Sequence, residues 1–292
     1  MKKLIKLFND NKIFIRERIR RWQIDISEWY AGFYQIRMLW KIKFGSFDSE
    51  YQTTYYKNYK IVFEDDFSVP EVDKLKWTHS LGWGILHPGQ PWTYITEECA
   101  NIIDNNLELI TKYLPKDVTH DGIDYKPLYG FGNIISKLKF SKGIFEIRCI
   151  LPKEAATNPA FWTFGTETWP PEIDVFEVFP SKSKRMTMTV HWQVPPQVTH
   201  EMNNSKVYLP MSVTTEMNTY TMIWTDDKIE ILFNGVTVRK VTNKNVIAHQ
   251  SNQLNNLVIG NGFHGNAQPE IDGPCDENKM IVDYVRVWQS DE

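Results

Sequence analysis

Two hydrophobic periodicities divide the chain. Between residues 13 and 43, Ile15, Ile19, Trp22, Ile26, Trp29, Phe33, Ile36 and Trp40 recur at spacings that alternate four and three. That is the a/d pattern of an amphipathic helix, sustained for more than three heptads. Arg16, Glu17, Arg18, Arg20 and Arg21 fill intervening positions, while Phe14, Tyr30, Tyr34 and Leu39 widen the apolar face. Gly32 and the β-branched positions lower the helix preference without cancelling it. Residues 44–58, rich in Ser, Asp, Gln, Thr and Tyr, read as a linker.

From residue 59 the period shortens to two. Gly143 to Leu151 alternates cleanly, as do Tyr220 to Trp224, Lys228 to Phe233 and Met280 to Trp288. Asn234-Gly235 is a tight-turn pair, and Asn101 to Ile110 reads as a hairpin with Asn105-Asn106 at its turn. Many short strands without intervening helices indicate an all-β antiparallel sandwich. The expected organisation is a basic helical arm and linker over residues 1–58, followed by a β-sandwich domain over residues 59–292.

One β-type segment breaks its own pattern. Pro171-Glu172-Ile173-Asp174-Val175-Phe176-Glu177-Val178-Phe179-Pro180 sets three acids among strand formers and closes both ends with proline. Alternation puts Glu172 and Asp174 on one face but sends Glu177 to the opposite, apolar one. A carboxylate facing a hydrophobic core is costly. A one-residue β-bulge between Asp174 and Glu177 removes the conflict, and bulges are over-represented beside active sites. Glu172 and Glu177 then lie four strand steps apart, about 13 Å between Cα atoms at about 3.3 Å per residue. Side chains leaning together over a concave surface bring such carboxyls to about 5–5.5 Å, the spacing of a retaining glycosidase pair. The bland alternative is a solvated edge strand that carries three acids.

Composition adds an asymmetry. Residues 1–43 hold 11 Lys or Arg against 4 Asp or Glu, a net of +7, so the remainder of this −3 chain carries −10. The arm therefore suits self-association, docking on a larger assembly, or an anionic membrane surface, with protein association favoured by its broad apolar face. Nothing in the acidic body resembles a nucleic-acid footprint. Aromatic residues make up 14% of the chain and include 11 Trp, a supply that serves sugar-stacking clefts and sandwich cores alike. Cys99, Cys149 and Cys275 match no zinc spacing and read as buried thiols. No stretch of 18 apolar residues suggests a transmembrane helix. Lys2 and Lys3 precede only a short apolar run, so no export signal is expected and localisation stays open.

The acidic segment and its flanks together resemble glycoside hydrolase family 16. Glu172-Ile173-Asp174-Val175-Phe176-Glu177 matches that family's bulged E-x-D-x-x-E signature. Upstream, Glu64-Asp65-Asp66-Phe67 with Trp77, Gly143 to Arg148, Leu151-Pro152, Pro159-Ala160-Phe161-Trp162 and Trp169-Pro170 fall in the family's order. Downstream, so do Tyr220 to Trp224, the Asn-Gly hairpin and Val282 to Trp288. The resemblance implies a concanavalin-like β-jelly-roll with a concave substrate cleft, covering about residues 59–289. It departs from the usual pattern at Pro170-Pro171, where relatives carry a small residue before the first Glu.

By position, Glu172 resembles the nucleophile, Glu177 the general acid/base and Asp174 the assisting carboxylate. Glu177 must begin protonated, and close anionic neighbours favour that state. Trp162 and Trp169 are candidate sugar-stacking residues, with Trp83 and Trp92 in a Gly- and Pro-rich loop at one end of the cleft. His191 falls on the following strand, where relatives often carry a histidine facing the cleft. Asp283 falls where some relatives hold a structural calcium, while the reaction itself requires no cofactor. The implied activity is retaining endo-hydrolysis of a β-1,3- or β-1,3/1,4-glucan. A galactan hydrolase of agarase, porphyranase or carrageenase type, a transglycosylase, and a non-catalytic carbohydrate-binding protein share the same fold.

Overall fold

The computed structural model describes residues 56–87, 90–153, 157–179, 182–194, 199–209, 211–263 and 279–290. The heptad segment with its expected helix, the linker up to residue 55, and Cys275 lie outside these residues. Two antiparallel sheets dominate. One runs in the order Val236–Val241, Ile229–Phe233, Asn218–Trp224, Gly143–Ile150, Met280–Ser290, Asn106–Leu109 and Ala100–Ile103, with Tyr59–Asp65 also paired to Met280–Ser290. The other runs Thr199–Tyr208, Arg185–Val194, Glu172–Val178, Thr157–Gly165, Asn255–Phe263, Asn133–Phe140 and Trp77–Thr78.

The sheets face each other through alternating apolar side chains, as a period of two demands. Phe176 meets Tyr220 across the interface at 4.3 Å between ring centroids, and Phe140 meets Phe145 edge-on at 5.8 Å. Ile173, Val178, Met186, Met188, Val190, Met222 and Ile231 are fully buried beside them. Each such side chain contributes about 1.5–3 kcal/mol of transfer free energy. Trp77 ties the sheets together at one edge: its indole N–H donates to Asp65 Oδ2 at 2.7 Å, and both residues are buried. Cys99 and Cys149 are buried free thiols, and burial pushes Cys99 up to about 12.

Turns follow local chemistry with one displacement. Asn234 (φ 47°) and Gly235 (φ 77°) form the expected hairpin turn. In the earlier hairpin the positive-φ pair is Asp104 (50°) and Asn105 (59°), one residue before the expected pair. Asn106 instead opens its strand and donates from Nδ2 to the Asp104 carbonyl at 2.8 Å.

Two smaller elements shape the cleft. The stretch holding Trp83 and Trp92, read as a Gly- and Pro-rich loop, supplies Leu86–His87 and Gln90–Ile95 to a four-stranded sheet completed by Tyr129–Phe131 and Thr111–Tyr113. At its junction with the sandwich, a Cβ on Gly132 would stand 2.2 Å from the Cys99 carbonyl oxygen, so the close backbone approach admits only glycine. The helix Lys244–Gln250 is capped by Asn243, whose side chain accepts from the backbone N–H of Asn245 and Val246. At its far end Gln250 Nε2 donates to the His191 carbonyl at 2.7 Å and braces that strand. No helix among the described residues is long and apolar enough to cross a membrane.

Candidate active site

The acidic strand Glu172–Val178 lies between Thr157–Gly165 and Arg185–Val194. On one side Glu172 pairs with His191, Asp174 with Thr189 and Glu177 with Thr187. Three steps from Asp174 to Glu177 thus oppose two steps on the partner. On the other side Asp174 pairs with Trp162, while Phe176 pairs with Phe161. The acidic strand therefore carries one surplus residue after Asp174. Beyond it the phase inverts: Phe176 enters the core and Glu177 joins Glu172 and Asp174. All three carboxylates line one cavity of about 640 Å³.

Each acid has distinct surroundings. Glu172 Oε2 accepts from the Trp169 indole N–H at 2.7 Å, and its Oε1 stands 3.3 Å from His191 Nε2. The same imidazole nitrogen lies 3.3 Å from Asp174 Oδ2. Glu177 Oε1 accepts from Asn158 Nδ2 at 3.3 Å. The side chains of Glu172 and Asp174 are only 15% and 7% exposed. Burial, reinforced by the charge of Asp174, pushes the Glu172 carboxyl up to about 8 against the pull of His191 and Trp169. Burial, with Glu177 adding to it, raises Asp174 well above the ordinary carboxylate range, while Arg239 acts in the opposite direction. The cluster thus favours shared protons over three full charges.

The aromatic candidates separate by position. Trp83 and Trp162 line the cavity with Leu81, Phe131 and Phe263. Both indoles pack on Phe164, at 5.4 and 5.3 Å between centroids. Trp169 is 46% exposed and also lines the cavity. Trp92 is not among the lining residues; it packs edge-on against Tyr129 at 5.9 Å and against Phe263 at 5.3 Å.

Asp283 lies on the Met280–Ser290 strand of the opposite sheet, where the Arg148 guanidinium grips its carboxylate. A cation already engages an oxygen that calcium would need, so this environment does not fit the ion. At the acids, Glu172, Asp174 and His191 bring three donor atoms within 4.8 Å of one another. Those atoms serve the carboxylate–imidazole contacts just described. Residues not singled out in the sequence also meet here. Asn158 touches Glu177, Gln193 Nε2 donates to the Trp169 carbonyl at 3.4 Å, and His200 Nε2 lies 2.9 Å from His191 Nδ1.

A family model described as glycosyl hydrolases family 16 matches residues 92–286, which take in the acidic strand and both its neighbours. The chain belongs to that family. Among curated relatives, it is 27% identical over 203 residues to the endo-1,3-1,4-beta-glycanase EglC of Rhizobium meliloti, covering 68% of this chain and 42% of that protein. It is 28% identical over 229 residues to the endo-1,3-1,4-beta-glycanase ExsH of the same organism, covering 75% and 47%. The chain therefore spans about half the length of these two relatives. Among solved structures, the non-specific endo-β-1,3(4)-glucanase SCLam superposes with a TM-score of 0.67 at 24% identity, covering 80% of this chain and 92% of that one. That likeness shows the family 16 sandwich fold.

Proposed function

We propose that this family 16 chain is a retaining endo-glycosidase that hydrolyses internal β-1,3 or β-1,3/1,4 linkages of a glucan. The observation that carries the reading is the bulge, which turns Glu177 onto the cavity already lined by Glu172 and Asp174. In this reading Glu172 attacks the anomeric carbon while Glu177 gives its proton to the departing glycosidic oxygen. The C–O bond to the leaving sugar breaks as an ester to Glu172 forms. Water, deprotonated by Glu177, then attacks the same carbon and releases Glu172.

The surroundings support these roles. Buried Asp174 holds its proton, and in that neutral state it does not oppose the charge on Glu172. Trp169 and His191 supply donors to the Glu172 oxygens, which favours the ionised nucleophile. The flat faces of Trp83 and Trp162 suit the apolar faces of pyranose rings. The printed activities of EglC and ExsH favour mixed β-1,3/1,4 linkages.

Release of reducing sugar from laminarin, lichenan, agarose and carrageenan tests the assignment. The expected result is release from laminarin or lichenan by wild type and none by Glu172→Gln. Undiminished release by that variant sinks the assigned roles, and release from a galactan alone moves the substrate class. The basic heptad segment is assigned to association with protein through its apolar seam. Light scattering with and without residues 1–45 tests that assignment, and equal monomer masses would remove self-assembly.

A further inference from the structure

Glu172 is held at both of its oxygens, and both holding groups rest on the same third residue. Trp169 reaches Oε2 at 2.7 Å and His191 faces Oε1 at 3.3 Å. The His200 ring lies 4.7 Å from the Trp169 ring, inclined by 47°. Its Nε2 is 2.9 Å from His191 Nδ1, and the two imidazoles are within 13° of parallel. The register explains this meeting. The strands Arg185–Val194 and Thr199–Tyr208 pair Gln193 with His200 and His191 with Met202. With a period of two, these four side chains share the cleft face.

Donor and acceptor chemistry then fixes the protons. An ionised Glu172 only accepts, so the facing His191 Nε2 must carry hydrogen. In a neutral imidazole the other nitrogen is then a lone pair, so His191 Nδ1 accepts and His200 Nε2 donates. The hydrogen bond from His200 therefore selects which His191 tautomer is present. We propose that His200 is a positioning residue for Glu172, locking His191 with its proton on Nε2 while supporting the Trp169 indole. Its kinetic consequence rests on the hydrolase reading above; the hydrogen-bond arrangement does not.

Two variants separate the two contacts. His200→Phe keeps a flat ring beside Trp169 and removes the donor, whereas His200→Gln keeps a donor and removes the ring. His200 is exposed, so thermal melts of both should match wild type. The direct readout is the nitrogen-15 NMR signature of the histidine side chains. Above pH 8, where Glu172 is ionised, wild type should show His191 protonated on Nε2 and accepting at Nδ1, and His200→Phe should show a tautomer mixture. On a soluble glucan, kcat of His200→Phe should fall about tenfold with KM within about twofold, since the contact acts on the reacting group and not on ground-state binding. His200→Gln should recover most of the loss. A wild-type His191 protonated on Nδ1 overturns the proposal without any variant, as does a His200→Phe protein with unchanged tautomer and kcat. If wild type degrades no glycan while the NMR result holds, the hydrolase reading falls and the positioning role stands.

Discussion

Ionising Glu172 costs the folded protein stability, and replacing it should return that stability in a pH-dependent way. The perturbation is Glu172→Gln, a near-isosteric side chain with no charge to bury. Its carboxyl rises from an ordinary 4.5 to about 8 in the fold, with burial the larger cause and the charge of Asp174 the smaller. Raising an acid's pKa means that the native state binds more protons than the unfolded chain between those two values. Stability is then fully present below about 4.5 and is lost as pH climbs toward 8. At about 1.36 kcal/mol per pH unit, the loss between pH 5 and pH 8 is at most about 3.5 kcal/mol. A proton resting on Asp174 lowers that figure without reversing its sign. The glutamine variant escapes the loss, so its melting temperature relative to wild type should rise by about 10 °C between pH 5 and pH 8, at about 2–4 °C per kcal/mol for a domain of this size. Differential scanning fluorimetry of both proteins at both pH values measures the double difference, in which pH-independent effects of the substitution cancel. An equal gap at the two pH values would refute a burial-raised Glu172.

The same shift sets a pH profile. A nucleophile must be ionised, so on an activated aryl glucoside, whose leaving group needs no proton from Glu177, kcat/KM should keep climbing between pH 5 and pH 8, and a plateau already reached at pH 5 would contradict the raised carboxyl. Trp162→Ala should raise KM for a glucan about fivefold with a smaller change in kcat, because ring stacking worth about 1 kcal/mol is present before and during reaction; steady-state kinetics on lichenan checks it. Gly132→Ala should cost about 3 kcal/mol in urea denaturation, because its Cβ meets a backbone oxygen that no rotamer change can move.

The part of the site most legible in the sequence was the part that violated a pattern. Glu177 was out of phase with the apolar positions around it, and an uncompensated carboxylate in a core is costly enough to demand a local solution. The strands read clearly wherever a period of two ran for five residues or more. The two-residue strand Leu86–His87 is too short to carry a period, so the stretch holding Trp83 and Trp92 looked like a loop, and the three-residue strands Thr111–Tyr113 and Tyr129–Phe131 that complete its sheet gave no signal. The hairpin turn moved by one residue because Asp104, Asn105 and Asn106 all tolerate positive φ, and only strand register chooses among them. Trp92 and Trp83 were indistinguishable by composition; one packs on Tyr129 and Phe263, the other reaches the cavity. His200 gave no signal. Its partner lies nine residues earlier across a hairpin, and lone histidines are common.

Val175 splits a seven-residue ribbon into two phases, with even numbers facing the cavity before it and odd numbers after it. Consequently, pairing the same seven residues without the surplus step would do two kinds of damage at once. It would turn Glu177 inward against Tyr220 and push Phe176 out toward solvent. The register of this ribbon is therefore policed by folding before catalysis is ever consulted, and a copy paired in the straight register would be lost as an unfolded chain rather than survive as an idle enzyme.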